Sequence, residues 1–305
     1  GMTVGMSGFT RAGEAKAVPL ALVKQAHSNP LKITLITGAS LGNDLDKQLT
    51  EAGVLARRLP FQVDNTLRKA INQGEVMFID QHLSETVEQM RNLQLKKPDI
   101  AIIEAVAITE DGGIIPTTSV GNSASFAIFA EKVIVEINTN LSPAFEGLHD
   151  IYIPTYRPTR QAIPLTQVDE RIGTHAINID PAKIVGIVIN NEYHDSPSTV
   201  TLPDDETQGI ANHLINFFEQ EVAEGRLPKD LGPLQAGIGS IANAVLTGLK
   251  DSNFEDLVMY SEVLQDCTFE LIDAGKMKFA SGSSITLSAK YGEKVFNNLE
   301  AYKDK

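Results

Sequence analysis

Short runs of apolar, mostly β-branched residues alternate along the chain with segments whose apolar residues recur at helical spacing. The apolar runs have the length of buried strands and lie at residues 33–37, 76–79, 100–106, 133–137 and 184–189. The amphipathic segments lie at residues 18–27, 44–52, 65–72 and 84–93. Gly53 and Gly74 follow two of them as predicted C-terminal caps. This alternation predicts a mainly parallel α/β sheet with helices on both faces.

A proline-rich stretch interrupts the alternation near the middle of the chain. Its prolines are Pro143, Pro154, Pro158 and Pro164. We therefore predict two domains, residues 1–165 and residues 166–305, with the strand at 184–189 in the second. A helix from about Asp204 follows that strand. The apolar residues predicted for its buried stripe are Ile210, Leu214, Phe217, Phe218 and Val222.

The composition limits the class of protein. The chain has 305 residues, of which 42% are hydrophobic and 21% charged, as in a folded protein with a packed core. The net charge of −13 disfavours a surface that binds nucleic-acid phosphates. Cys267 is the one cysteine, which excludes an internal disulfide and a CxxC site and favours a reducing compartment. With no apolar run near ~20 residues and no signal peptide, we expect a cytoplasmic protein without a membrane partner.

A glycine-rich turn, Gly237-Ile238-Gly239, is the first candidate site because it leads into a helix of small residues. The unpaired N–H groups at a helix N-terminus suit a phosphate or an oxyanion. The turn lacks the third glycine and the acidic residue of a dinucleotide fingerprint. A tight strand-to-helix connection without a ligand explains the same residues, so this window alone leaves both interpretations open.

Glu262 is the second candidate, because it interrupts an apolar segment at residues 257–266 that predicts the end of a strand and the start of a helix. Burying an unpaired carboxylate costs several kcal/mol, and ligand sites of open α/β sheets lie at the carboxyl ends of strands. The alternative is a salt-bridged glutamate or one at the solvent edge of the sheet.

Ser40 is the third candidate, at the centre of Gly38-Ala39-Ser40-Leu41-Gly42 after a predicted strand. This pattern fits the nucleophile elbow of a serine hydrolase, for which Asp150 with His175, or Asp180 with His194, have the required order. An N-cap or turn serine is the alternative. The histidines lack the spacing of a zinc site, so we predict no metal. Cys267 is predicted to be a buried, inert thiol.

The windows around Ile238 and Glu262, taken together with their spacing and flanking residues, resemble the acetyl-CoA hydrolase/transferase family of class I CoA-transferases. The resemblance extends over essentially the whole chain. Further matching segments are residues 7–10, 16–19, 35–40, 108–113, 119–123, 146–151 and 279–281. The resemblance implies two related open α/β domains. The last third or more of a typical member, with a second oxyanion donor and much of the coenzyme A pocket, is missing, so we expect the second domain to be incomplete and these 305 residues alone to have weak activity or none.

The resemblance also implies the chemistry. Glu262 corresponds to the nucleophile that forms glutamyl anhydride and glutamyl-CoA thioester intermediates. The amide of Ile238 corresponds to an oxyanion donor. Ser40 corresponds to a position near the acyl or carboxylate group. The residues that correspond to the coenzyme A site are Gly237, Ile238, Gly239, Ser240 and Ile241, where the family usually has Val and Asn in place of Ile238 and Ser240.

The expected substrates are a short acyl-CoA and a small carboxylate such as acetate or succinate, with coenzyme A as substrate and no permanently bound cofactor. The family implies a homodimer. Two alternatives stay open: an acetyl-CoA hydrolase (thioesterase) that uses the same glutamate, and a non-catalytic sensor of a small ligand, because related folds also serve in regulators.

Overall fold

The computed structural model describes residues 1–199 and 203–305, which divide into two compact units. Unit 1 comprises Gly1–Ile163 and Ile172–Ser196, and unit 2 comprises Pro164–Arg171 and Pro197–Lys305. The strand at 184–189, which we assigned to the second domain, therefore belongs to unit 1. Its backbone pairs with the strand before it over six residues. Of the proline-rich segment, Pro143, Pro154 and Pro158 lie in unit 1, whereas Pro164 begins the short segment assigned to unit 2.

Unit 1 contains a mainly parallel sheet with its connecting helices. Its strands are β1 (Met2–Met6), β2 (Ile33–Ile36), β3 (Leu55–Leu59), β4 (Met77–Phe78), β5 (Ile100–Ile108), β6 (Ile114–Pro116), β7 (Lys132–Asn138) and β8 (Ile184–Asn190). Its helices are α1 (Ala17–Ser28), α2 (Leu45–Glu51), α3 (Asn65–Asn72), α4 (Leu83–Arg91) and α5 (Ser123–Phe129), with 3₁₀ turns at Pro143–Phe145 and Pro181–Lys183. The strands and helices predicted for this part are confirmed, and Gly53 and Gly74 follow α2 and α3 with φ of +67° and +78°.

The strand order of unit 1 is β4-β3-β2-β1-β5-β7-β8, with β6 antiparallel to β5. Strands β2, β3 and β4 are added in turn on one side of β1, and β5, β7 and β8 are added in turn on its other side. The order therefore reverses between β1 and β5. In open α/β sheets a ligand crevice forms at the carboxyl edge of such a switch point.

Apolar residues fill both faces of this sheet, as its continuous hydrophobic strands predict. One cluster centres on Leu35, Leu45 and Leu55, and the other on Ile103, Phe126 and Val135. A fully buried arginine lies beside this core. Arg58 on β3 donates from Nε to Oδ1 of Asp46 on α2 at 2.8 Å and from Nη2 to the Ala39 carbonyl at 3.3 Å. The pair fixes α2 and the turn after β2 to β3.

Unit 2 contains a parallel sheet in the order β11-β10-β9. Its strands are β9 (Pro233–Leu234), β10 (Leu257–Leu264) and β11 (Met277–Ile285). Its helices are α6 (Asp205–Ala223), α7 (Ser240–Asp251), α8 (Asp266–Asp273) and α9 (Ala289–Phe296), with a 3₁₀ turn at Leu299–Ala301. The predicted strand end and helix start at residues 257–266 are confirmed as β10 and the beginning of α8.

Helix α6 starts where we predicted, with the Asp204 side chain accepting from Thr207 N at 2.8 Å, but its buried stripe differs. Thr207 and Ala211 are buried, whereas Phe217 is 52% exposed. The close approach of α7 explains the difference, since Gly248 brings the α7 backbone against Ile215. Within residues 1–199 and 203–305, no helix is both long and apolar enough to cross a bilayer.

We predict that Asp46→Ala lowers the free energy of unfolding by about 3–5 kcal/mol, because it leaves the buried Arg58 guanidinium without its counter-charge. Asp46 is 2% exposed and Arg58 is fully buried. Urea denaturation followed by circular dichroism measures the change. Glu300→Ala is the matched control, because its ion pair with Lys303 lies at the surface and contributes at most about 1 kcal/mol. Equal effects of the two variants would contradict the prediction.

Candidate functional site

Glu262 lies near the carboxyl end of β10, two residues before the strand ends. Side chains alternate along this strand, so that Met259 and Val263 are buried and Tyr260 and Glu262 are exposed. Glu262 is therefore not the buried carboxylate that its apolar neighbours in sequence predicted. Within the described residues its side chain has no hydrogen bond or ion pair. Glu262 is therefore a glutamate at the solvent edge of the sheet and not a salt-bridged one. Because it is exposed, its carboxylate carries no cost of burial.

The glycine-rich turn follows β9, the strand that pairs in parallel with β10, so the turn and Glu262 lie at the same carboxyl edge of one sheet. Gly239 occupies the N-cap position of α7 with φ of +144°, a conformation that favours glycine. No side chain caps the helix, and its first turn has no acidic residue. In the described part of the chain the Ile238 N–H donates to no protein acceptor. The turn thus presents free donors at the positive end of a helix dipole.

Two side chains within three residues of Glu262 in sequence bind the start of this turn and the residue before it. The Ser261 hydroxyl donates to the Ala236 carbonyl at 3.0 Å and accepts from the Ala236 N–H at 3.3 Å. The Gln265 amide donates to the Gly237 carbonyl at 3.3 Å. The strand with the carboxylate is therefore bonded directly to the turn with the free donors.

A groove of about 560 Å³ lies beside the turn, between α6 and α7. The turn residues from Gly237 to Ile241 line one side, and Leu214, Phe218 and Leu246 form the apolar remainder. Ile238 and Ile241 are 63% and 48% exposed. The predicted coenzyme A residues therefore share one groove, which combines backbone donors with apolar surface.

Ser40 lies in unit 1, after β2, and is 7% exposed. Its carbonyl accepts from the Arg11 N–H at 3.1 Å. The flanking glycines permit close packing, because a Cβ on Gly38 would lie 2.7 Å from the Gly8 carbonyl oxygen and one on Gly42 would lie 2.4 Å from Oε1 of Glu14. Ser40 is thus a buried residue of a tight turn at the carboxyl edge of the sheet.

The serine-hydrolase interpretation of Ser40 gains no support. An elbow serine projects its hydroxyl from a strained turn directly into a helix, whereas Ser40 is buried, has no positive φ and precedes α2 by five residues. The nearby His194 touches this region through its carbonyl, which accepts from the Asn43 side chain at 3.0 Å. In residues 1–199 and 203–305 the Ser40 hydroxyl has no histidine or carboxylate partner.

Metal ligation and thiol chemistry can be judged from the side chains present. Among the described residues, no group of three His, Cys, Asp or Glu side chains is arranged to hold a metal ion. Cys267 lies in α8 and is buried, as predicted. Burial raises the pKa of its thiol to about 11, so it is a poor nucleophile near neutral pH.

A buried ionic cluster in unit 1 was missed by the sequence analysis. The Lys16 ammonium lies 2.6 Å from Oε2 of Glu104 and 2.7 Å from Oδ1 of Asp195, and donates to the Glu14 carbonyl at 2.7 Å. Lys16, Glu14 and Glu104 are almost fully buried. Because Glu104 lies on β5, which pairs with β1, the cluster lies beside the switch point of the sheet.

The cluster also holds the chain where it leaves unit 1. Asp195 accepts from the Gly13 N–H at 3.1 Å and from the Thr118 hydroxyl at 2.5 Å. Asn43 donates to Glu14 at 3.0 Å, and its N–H donates to the Ser196 hydroxyl at 3.1 Å. The turn after Ser40 and the segment after β8 are therefore tied to the same buried charges.

Burial and like charge perturb the carboxylates of the cluster. Burial raises the pKa of Glu14 to about 7 and of Glu104 to about 8, against the opposing effect of Lys16, and the Asp195 charge adds to both shifts. Burial also opposes the charge on Lys16, but Asp195 and Glu104 outweigh it and raise the pKa of the ammonium well above its usual value. Glu14 and Glu104 therefore keep their protons to a higher pH than ordinary carboxyl groups do.

Residues 1–189 match the family model described as acetyl-CoA hydrolase/transferase N-terminal domain. The chain is 43% identical over 307 residues to a succinyl-CoA:acetate CoA-transferase of Clostridium kluyveri, covering 100% of this chain and 57% of that protein. It is 44% identical to an acetyl-CoA hydrolase of Schizosaccharomyces pombe, covering 99% of this chain and 60% of that protein. The chain thus spans less than two thirds of the length of these relatives.

Solved structures agree at the level of the fold. RipA from Yersinia pestis superposes with a TM-score of 0.67 at 17% identity, covering 97% of this chain and 62% of that one. A 4-hydroxybutyrate CoA-transferase from Porphyromonas gingivalis gives a TM-score of 0.60 at 19% identity, covering 98% and 62%. The predicted fold class, mainly parallel α/β sheets of the CoA-transferase type, is confirmed.

We predict that stability falls as the pH rises from about 5 to about 8, because folded Glu14 and Glu104 keep protons that the unfolded chain releases near its ordinary pKa of 4.5. The slope is at most about 1.4 kcal/mol per pH unit for each retained proton. Glu14→Gln removes one of these titrations and flattens the dependence. Thermal unfolding measured at intervals across this range tests it, and identical slopes for variant and parent would refute it.

Proposed function

The chain belongs to the acetyl-CoA hydrolase/transferase family, and on that premise we propose that this protein transfers coenzyme A between a short acyl-CoA and a small carboxylate of the acetate or succinate class. One observation carries the proposal: the exposed Glu262 and the free Ile238 N–H occupy the same carboxyl edge of one sheet. The name of the Clostridium kluyveri relative supports this substrate class.

In the proposed reaction the Glu262 carboxylate attacks the acyl-CoA thioester, forming a mixed anhydride and releasing the coenzyme A thiolate. The thiolate attacks the glutamyl carbonyl, which releases the acyl group as a carboxylate and leaves a glutamyl-CoA thioester. The acceptor carboxylate attacks this thioester and again releases the thiolate, forming a second anhydride. Attack of the thiolate on the acceptor acyl carbon gives the new acyl-CoA and regenerates Glu262.

Each attack passes through a tetrahedral oxyanion, which needs donors aimed at the developing charge. We assign the Ile238 N–H to this role because it has no acceptor within the described residues. Gly237, Gly239, Ser240 and Ile241 contact coenzyme A in this proposal, supported by their shared groove. Ser40 is assigned to the substrate carboxylate from the family resemblance. No cofactor is required, and the homodimer and cytoplasmic location stay predictions.

Hydrolysis of acetyl-CoA is the second candidate. It is favoured by the name of the Schizosaccharomyces pombe relative and uses the same glutamate. Water replaces the acceptor carboxylate in that reaction and opens the anhydride or the thioester. The two candidates differ in whether a carboxylate or water attacks the glutamyl intermediate at Glu262.

We predict that the protein at its natural length, incubated with acetyl-CoA, acquires a coenzyme A adduct on Glu262 that borohydride or mass spectrometry of its peptides detects. Glu262→Ala removes the nucleophile, so both the adduct and turnover are lost. Glu255→Ala is the matched control, because this glutamate lies just before β10, is 75% exposed and has no assigned role. Normal turnover of Glu262→Ala would overturn the mechanism, and an adduct on Ser40 would revive the serine hydrolase.

We also predict that loss of acetyl-CoA depends on an added carboxylate. The measurement follows acetyl-CoA with and without succinate, and succinyl-CoA is the expected product. The reason is that the acceptor must resolve the glutamyl thioester for the cycle to continue. Equal rates without succinate, with free coenzyme A as product, would establish hydrolysis as the main activity.

A further inference from the structure

Two side chains that the proposed mechanism does not use hold the turn of the active site. They are Ser261 and Gln265, on either side of Glu262, and both bind the backbone of residues 236–237. The turn has few other contacts. A Cβ on Gly237 or Gly239 would meet no atom within 4 Å, and Ile238 is 63% exposed. The Gly239 carbonyl accepts from the Asn243 N–H of α7 at 3.0 Å, and the residues before Gly239 are held by the atoms that bond them to Ser261 and Gln265.

The register of the sheet explains why Ser261 meets Ala236. Strand β9 pairs Pro233 with Val258 and Leu234 with Met259, and two further residues along both strands bring Ala236 opposite Ser261. The ladder itself ends at Leu234. The Ser261 hydroxyl continues it, because one oxygen accepts from the Ala236 N–H and donates to the Ala236 carbonyl. A side chain thus extends the strand pairing up to the glycine turn.

Gln265 binds Gly237, the residue after Ala236, and its own backbone is held in place by its neighbours. It is the N-cap residue of α8 and follows two buried residues, Val263 and Leu264. The following Asp266 accepts from the Ser288 N–H at 2.9 Å and from its hydroxyl at 2.5 Å. Because its backbone is held on both sides, the Gln265 amide fixes the Gly237 carbonyl. That carbonyl belongs to the same peptide group as the Ile238 N–H.

We propose that Ser261 and Gln265 are positioning residues that set the Ile238 N–H relative to the Glu262 carboxylate. This inference rests on the proposed function, since it concerns the same oxyanion donor. Neither side chain touches the reacting atoms. Each acts through the turn, Ser261 by extending the strand pairing and Gln265 by orienting the peptide plane that contains the donor.

The role predicts a specific kinetic signature. The oxyanion exists only in the transition state, so a displaced donor weakens transition-state binding and leaves ground-state binding of acyl-CoA nearly unchanged. Loss of an oxyanion donor costs about 10²–10³ in rate, and displacement costs part of that. We expect Ser261→Ala to lower kcat by about 10- to 100-fold with KM for acyl-CoA changed by less than about 3-fold.

Conservative variants separate positioning from general structure. Ser261→Thr keeps the hydroxyl on a residue that suits a strand and is expected to restore most of the kcat. Gln265→Glu keeps the length but places an acceptor against the Gly237 carbonyl, so it is expected to lower kcat as Ser261→Ala does. Ser283→Ala, an exposed serine on β11, is the matched control. Each variant is made in the protein at its natural length, with its melting temperature measured.

The experiment includes Glu262→Ala and the rate of adduct formation at Glu262 in a single turnover with acetyl-CoA. Slower formation in Ser261→Ala and Gln265→Glu at an unchanged melting temperature, restored in Ser261→Thr, supports positioning. Parent rates in both variants, with Glu262→Ala inactive, overturn this inference and leave the proposed function standing. A loss of kcat that merely follows a lowered melting temperature, or that Ser261→Thr shares, also overturns it. An active Glu262→Ala overturns the proposed function itself.

Discussion

The Lys16 ammonium lies out of water with Glu104 and Asp195 oxygens at 2.6 and 2.7 Å, and unit 1 is organised around it. Its own backbone is held too, because Glu136 on β7 accepts from the N–H groups of Lys16, Ala17 and Val18 at 2.8–2.9 Å. A carboxylate therefore caps α1 while the lysine side chain binds β5 and the segment after β8. Removing either member of a buried pair leaves an uncompensated charge, so these contacts make one arrangement of strands and turns far more favourable than its alternatives.

The cluster lies beside the switch point between β1 and β5, where an open sheet of this type ordinarily forms a ligand crevice. Its ammonium is already paired with carboxylates. Free backbone donors lie in unit 2, at the start of α7, which no side chain caps. Because the chain has a net charge of −13, an anion gains little from the overall field. Backbone N–H groups at a helix N-terminus attract it locally without a cationic side chain.

Periodicity was sufficient to predict the local elements and the fold class, because each buried strand of unit 1 is a continuous apolar run. The pairing of β8 with β7 was not predictable from local sequence, since prolines resemble a domain linker whether or not the chain returns to the same sheet. The exposure of Phe217 was also not predictable from local sequence, because the packing of α7 determines which side of α6 is buried. The ionic cluster escaped notice because Glu14, Glu104 and Asp195 are far apart in sequence and each resembles a surface charge. The windows around Ile238 and Glu262 could be singled out as candidates because each is contiguous and unusual in sequence.

In the proposed mechanism the two candidate reactions use one set of residues, so the difference between them lies in the lifetime of the glutamyl intermediates at Glu262. An anhydride or thioester survives only where water is kept from its carbonyl while an acceptor carboxylate enters. Glu262 lies on the exposed face of β10 together with Tyr260, and nothing on its own strand shields it. Under the proposed mechanism the donors of the turn would stabilise the oxyanion of either attack equally, because water and carboxylate adducts place negative charge on the same oxygen. On the proposed mechanism, what covers that face of β10 during turnover would therefore decide between transfer to a carboxylate and hydrolysis.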